Sequence, residues 1–294
     1  MNTIKKNLFI ISLLLLINPV FAQISDESLK INPLLELYGS NAKTLGLKGN
    51  VTQMHEQQFS INAKGNTTGD SELINNFYKF NTEGSTKEFE QNYKYILSKK
   101  HFFSYTNKGY ISHVDIETVN VAKDKDTTET NLENETQTPA FSSADYKYVQ
   151  KKNILYKGED TTEGSQKKTT TRKEYFYHFN DANQIDQIDY QSINLTTKYI
   201  YDSNASVKEI HTFKSDILSH KNIYKYDRNN RLINITTINS DNHTKYPNQE
   251  IVITYKLDET GNVIEKKMLT YLYNLKGTKE FLEGFLNLYN YTYL

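Results

Sequence analysis

The stretch Tyr224-Lys225-Tyr226-Asp227-Arg228-Asn229-Asn230-Arg231-Leu232 reads as the end of one strand, a tight turn and the start of the next. Tyr224 and Tyr226 are two residues apart and share one face of a strand. The short carboxylate of Asp227 can accept a hydrogen bond from the backbone two residues on, which starts a turn. Asn230 tolerates the positive φ that a type I turn followed by a bulge requires. Leu232 then restarts the strand with an apolar side chain.

The same unit recurs. Tyr199-Ile200-Tyr201-Asp202 is followed by Ala205 and Val207. Taking the first aromatic as origin, copies begin at Tyr78, Phe103, Tyr146, Tyr177, Tyr199, Tyr224 and Tyr255, with a partial copy at Tyr271. Most are spaced roughly 22 to 31 residues apart, a repeat-array period. A second large residue stands two places on: Phe80, Tyr105, Tyr148, Phe179, Tyr201, Tyr226, Leu257 or Tyr273. The turn opens on Asn81, Asn180, Asp202, Asp227, Asp258 or Asn274 and is completed by Gly84, Gly109, Asn183, Asn230, Gly261 or Gly277. Ile111, Ile154, Ile185, Val207, Leu232 and Val263 restart the strand. Thr106 and Val149 lack the turn acid, Lys152 and Ala205 lack the turn Gly or Asn, and Thr86 is polar at the restart. Each part fits the next, and that consistency outweighs any single residue. The pattern predicts an all-β chain of consecutive hairpins in an extended, curved antiparallel sheet. About 15 strands at about 4.8 Å each give roughly 70 Å of sheet, open or about one turn of a coil and not a closed container.

The Asp227–Leu232 and Asp202–Val207 stretches resemble the YD repeat, the unit of the RHS family. Asp227 to Leu232 keeps that unit's Arg and Leu but has Asn230 where Gly is usual. Glu259-Thr260-Gly261-Asn262-Val263 keeps the Gly but follows Leu257-Asp258. The resemblance covers roughly Tyr78 to Lys279, and the layout is similar to small exported proteins of Bacteroidota. It implies stacked hairpins and an association with carbohydrate. The family's closed toxin shell does not carry over to a sheet of this length.

Residues 1–22 read as a secretory signal peptide. Lys5 and Lys6 precede an apolar run from Leu8 to Ile17, and Val20-Phe21-Ala22 supplies the cleavage site, so the mature chain is expected to begin at Gln23. The run is shorter than the about 20 residues of a membrane span, and no later run is apolar enough. Residues 23–47 are expected to form a cap over the first hairpin, with the β-sheet domain filling 48–294. Two polar insertions, 122–145 and 158–172, read as loops, either long hairpin tips or mobile insertions. The last residues, Leu288 to Leu294, alternate like a strand.

Composition excludes several chemistries. No cysteine means no disulfide, thiolate or Cys-zinc site. With 35 basic and 35 acidic residues the chain has no basic excess for phosphate, so no nucleic-acid partner is expected. The seven histidines are scattered and form no metal-ligand spacing, no Ser sits in a nucleophile elbow, and no cofactor motif is present. Asp202, Asp227 and Asp258 invite comparison with the paired carboxylates of glycosidases. Their recurrence at turn entry assigns them instead, with Gly84, Gly109, Gly261 and Gly277, to turn structure.

The 23 tyrosines are the other feature. Tyr199, Tyr201, Tyr224, Tyr226, Tyr255 and Tyr273 form an aromatic face that either pairs across strands or stacks on a ligand. The expectation is an exported, periplasmic or cell-surface, non-enzymatic binding or scaffold module for a glycan or envelope protein. The alternative is a protein that pairs with a partner through exposed strand edges. A polysaccharide-acting enzyme comes third.

Overall fold

The computed structural model describes residues 30–69, 72–93, 97–120, 139–163, 169–240 and 248–294. The expected signal peptide lies outside them, as do 121–138 and 164–168 of the two polar insertions. A one-turn helix, α1 (Leu35–Tyr38), comes first. Then follow β1 (Val51–Ser60), β2 (Ile74–Phe80), β3 (Thr86–Tyr93), β4 (Leu97–Tyr105) and β5 (Ile111–Asn120). The middle is β6 (Ala140–Lys151), β7 (Ile154–Glu163), β8 (Thr169–Phe179), β9 (Ile185–Tyr190), β10 (Leu195–Tyr201) and β11 (Val207–Lys214). β12 (Ile217–Tyr226), β13 (Leu232–Asn239), β14 (Asn248–Leu257), β15 (Val263–Tyr273) and β16 (Lys279–Tyr293) complete the chain.

Every strand pairs antiparallel with its sequence neighbours, and β1 also pairs with β16. The sheet is a closed sixteen-stranded barrel. This corrects the expected open, curved repeat sheet, and the YD/RHS-type coil with it. The turn pattern specifies which neighbours pair; it carries no information on whether the first strand meets the last. Closure comes from β1, which lies outside the repeat. Its Met54, Glu56 and Gln58 stand opposite Tyr291, Tyr289 and Asn287. The Leu294 N–H donates to the Asn50 carbonyl at 2.9 Å at the end of the seam. Closure also removes the basis for partner pairing through long edges, because the two outer strands satisfy each other.

The described parts of the two insertions extend the strands of hairpins. Residues 140–145 belong to β6, 158–163 to β7 and 169–172 to β8. Thr-rich polar segments are good strand formers, and a charged strand needs only one wet face. Lys147 and Asp160, 3.8 Å apart, pair across β6 and β7.

Alternation sets the two faces. Inward residues include Met54, Tyr78, Tyr177, Ile188, Tyr199, Ile210 and Ile235, all buried. The alternate positions point out and are mixed: exposed Phe77, Phe102 and Ile200 stand there beside charged side chains. Lys79–Glu88 (3.0 Å), Lys100–Glu90 (3.5 Å), His178–Asp189 (2.8 Å), His211–Glu209 (2.8 Å) and Lys256–Glu265 (2.7 Å) are cross-strand or same-face pairs there. One outward apolar spot is covered: Ile61, 3% exposed, donates its N–H to the Gly284 carbonyl at 2.9 Å. A Cβ on Gly284 would lie 2.8 Å from Ile61 Cγ1 and 2.9 Å from Leu269 Cδ2, which explains the glycine.

Residues 31–49 plug one mouth. The Ala42 N–H donates to the Gly84 carbonyl at 2.8 Å, and the Thr86 hydroxyl donates to the Ser40 carbonyl. Asn262 accepts from the Lys48 N–H at 2.8 Å and donates back to the Lys48 carbonyl at 3.0 Å. Ile31 and Leu37 enter one apolar cluster with Leu155, Tyr177, Ile188 and Ile210. Leu45 enters a second with Met54, Tyr78, Val263 and Tyr289. The cap therefore meets turns from β2–β3 to β14–β15 and not the first hairpin alone. Gly39 ends α1 at φ +68°, and a Cβ there would sit 2.9 Å from Ile111 Cδ1.

Candidate binding cleft at the capped mouth

The rim of this mouth is built from the repeated turns. Asp202 Oδ1 accepts from the Asn204 and Ser206 N–H groups at 2.8 and 3.0 Å. Asp227 Oδ1 accepts from Asn229 and Arg231 at 2.9 Å each, and Asp258 Oδ1 from Asn262 at 2.8 Å. Burial pushes the Asp227 carboxyl up, but hydrogen bonds from Arg231 and Asn229 outweigh it and hold the group below the usual range. Positive φ occurs at Gly84, Gly109, Gly261 and Gly277, and also at Lys152 and Ala205, where neither Gly nor Asn stands.

The tyrosines of the aromatic face divide. Tyr199 and Tyr224 are buried inside the barrel. Tyr201, Tyr226 and Tyr255 are half-buried and donate their hydroxyls to the carbonyls of Ile185 (2.5 Å), Val207 (2.8 Å) and Leu232 (2.7 Å). Tyr105, Tyr148 and Tyr291 do the same to Thr86, Ile111 and Val263. In each case the acceptor is the residue that restarts the strand in an earlier copy, so the hydroxyls form a ladder just inside the rim. Where Leu257 takes the second place, Tyr255 supplies the hydroxyl. Desolvation raises the phenol pKa along this row, to about 12 at Tyr105. Tyr273 stands apart on the outer face, donating to Glu250 at 2.7 Å beside Lys279. Both ladder partners recur visibly in the sequence, but spacing alone does not aim a hydroxyl. Tyr226→Phe deletes one rung and leaves the Val207 carbonyl short of a donor. It is expected to lower unfolding free energy by about 1 kcal/mol in chemical denaturation, with unchanged slope.

One hairpin breaks the rim. The Tyr146 copy lacks the turn acid, and β6 and β7 stay paired to Lys151–Ile154 around a two-residue turn, Lys152-Asn153. Elsewhere a bulge follows the second aromatic, as between Ile200 and Tyr201 or Lys225 and Tyr226. A cleft of about 640 Å³ lies at this break. Leu34, Leu37 and Tyr38 of the cap form one wall. Tyr110 and Lys108 of the β4–β5 turn, and Phe179, Asn180, Asp181 and Asn183 of the β8–β9 turn, flank the Gln150, Lys152 and Asn153 of the short hairpin. The Tyr38 and Tyr110 rings are 5.1 Å apart, and Tyr110 packs on Tyr148 at 5.0 Å. Burial and the neighbouring Tyr110 raise the Tyr38 pKa, so the Tyr38 phenol is a neutral donor at ordinary pH. The site missed in the sequence was marked there by its departures, Val149 and Lys152, which break the turn rule.

Three of the histidines scattered in sequence, His113, His178 and His211, meet carboxylates on the outer face. His113 lies between Asp145 (2.8 Å) and Asp115 (3.0 Å), whose hydrogen bonds raise its pKa. Among the described residues no group of three or more His, Asp or Glu is arranged to hold a metal ion.

No family model matches this chain. No curated protein matches it either. Solved structures similar to it include a porin-like protein from Bacteroides uniformis ATCC 8492, at 9% identity over 82% of this chain and 96% of that one, with a TM-score of 0.35. Another is a porin-like protein from Bacteroides vulgatus ATCC 8482, at 11% identity over 84% of this chain and 100% of that one, with a TM-score of 0.34. Likeness at this level carries no argument about the chain's function.

Proposed function

We propose that this chain is an exported, non-enzymatic binding barrel that works in water and takes a glycan in the cleft at its capped mouth. The observation that carries the reading is the cleft itself. Tyr38, Tyr110 and Phe179 offer apolar ring faces, and amides stand around them: Asn183, and Gln150, Asn153 and Asn180, whose positions are fixed by hydrogen bonds to the Lys152 carbonyl, the Phe179 carbonyl and Gln184. Flat aromatic faces ringed by amides suit a neutral sugar, whose ring has apolar C–H faces and a hydroxyl edge. The site thus moves from the tyrosine face expected along the sheet to the one place where the rim opens.

The outer surface supports the aqueous part of the reading. A membrane-spanning barrel presents an apolar band about 25 Å tall to lipid, and a Lys or Arg at the midplane costs about 2–4 kcal/mol. Here lysines and carboxylates pair at outward positions on β2, β3, β4, β6, β7, β14 and β15, and they interrupt the exposed apolar side chains such as Phe77, Phe102 and Ile200. No described helix is long and apolar enough to cross a membrane.

A glycan array followed by calorimetry on the best hit tests the reading. Tyr110→Ala is expected to weaken binding at least about tenfold, which is about 1.4 kcal/mol. Tyr273→Ala, on the outer face, is expected to leave affinity unchanged. Equal losses from both variants, or no glycan bound by the folded protein, would remove the cleft as a glycan site.

A further inference from the structure

Among the described residues, the buried polar atoms without a hydrogen-bond partner inside the barrel include Asn76 Oδ1 near the seam and three that lie away from both seam and cleft: Thr212 Oγ1, Asn222 Nδ2 and the Tyr224 hydroxyl. The latter three belong to one patch. Asn222 and Tyr224 share the inward face of β12, and Thr212 on β11 is diagonal to Asn222, whose direct partner there is Ile210. Asn222 is 1% and Thr212 2% exposed. The patch is polar by construction. Thr197 stands opposite Thr212, and Thr237 stands opposite Asn222.

The orientation of Asn222 is set. The Thr237 hydroxyl donates to Asn222 Oδ1 at 2.7 Å, so the amide oxygen is satisfied and the NH₂ faces away from Thr237. The Asn222 side chain lies beside the Tyr224 hydroxyl, yet no hydrogen bond of proper length and angle joins them. The patch therefore offers amide N–H donors and two hydroxyls able to donate or accept.

A buried polar group left unpaired is destabilising, and three in one patch would remove a large fraction of a domain's stability. Apolar side chains would pack there without that cost. Internal waters typically make about three hydrogen bonds to such groups, which is the number of atoms awaiting partners here. We propose that Thr212, Asn222 and Tyr224 form an internal binding site for water, at least one molecule of which is held between β11 and β12 as part of the folded barrel.

Thr212→Val decides the matter by its sign. Valine has the same shape, so no cavity or clash is created. If the hydroxyl holds water, the variant loses hydrogen bonds and its melting temperature is expected to fall by about 2–4 °C. If the hydroxyl is bare, removing a buried unpaired group raises the melting temperature, and that result overturns the proposal. Tyr224→Phe gives an independent reading with the same sign rule. A crystal structure of the full chain then reads the site directly. Solvent density within hydrogen-bond distance of Asn222 Nδ2 and Thr212 Oγ1 supports the proposal; direct pairing of the three side chains with one another overturns it.

Discussion

Leu37→Ala is expected to lower the unfolding free energy by about 3 kcal/mol, since deleting most of a buried leucine typically costs about 2–5 kcal/mol. Leu37 is 1% exposed and packs in the cluster with Leu155, Tyr177 and Ile188, reached from the cap. A round barrel of this many strands would leave an open channel. The cap and the inward side chains fill that space beneath the mouth, so Leu37 acts as a wedge whose removal leaves a cavity that strands held in a closed ladder cannot collapse to fill. The half-buried Leu34 on the same segment serves as control, with an expected loss of about 1 kcal/mol for Leu34→Ala. Denaturant titration measures both. Hydrogen exchange should show the Leu37 and Tyr38 amides, which donate to the Leu34 carbonyl, opening earlier in the Leu37 variant. A Leu37→Ala loss below that of Leu34→Ala would mean that the segment rests on the rim and does not plug it.

The second large effect is expected at the seam. Asn287 is fully buried on β16 and donates to Glu56 Oε1 on β1 at 2.5 Å. Asn76 on β2 donates to the other carboxyl oxygen at 2.8 Å, and Gln58 donates to Asn287 Oδ1 at 3.4 Å. Asn287→Leu keeps the volume and removes the polar centre of this network. It takes a strong hydrogen bond from a buried carboxyl group, and the expected loss is about 3 kcal/mol. Glu56→Leu alone should be costly as well, while the double variant should cost less than the sum, because the bond between Asn287 and Glu56 is then lost only once, whereas Asn76, Tyr289 and Gln58 lose their partners in the single and double variants alike. Additive losses would show that the two side chains do not act as a unit. Amides of β1 and β16 should lose exchange protection before those of β10 to β13 in the single variants.

The strand-and-turn order was legible in the chain because its cues are local. Asp227, Asn230 and Leu232 mark a turn through bonds made within a few residues, and those bonds form wherever the hairpin sits. The cleft was legible only by default, as the copy in which Val149 and Lys152 break the rule. In the polar run 158–172, polarity alone does not separate a mobile insertion from a long hairpin tip, because one wet face is all that a strand on the outside of a barrel requires. The tyrosine row was seen, but its partners lie on neighbouring hairpins, and a two-residue period fixes a face without saying what covers it.

By itself, the sequence determined that this protein is built of antiparallel strands joined by Asx-started turns, without disulfides and with balanced charge. These properties follow from composition and from interactions a few residues long. Only the tertiary structure decided that the sheet closes. That outcome rests on Glu56 and Asn287, residues from opposite ends of the chain that no local pattern relates. Closure in turn placed Tyr199 and Tyr224 inside, aimed the hydroxyls of Tyr201, Tyr226 and Tyr255 at earlier strands, and left Tyr273 on the outer face.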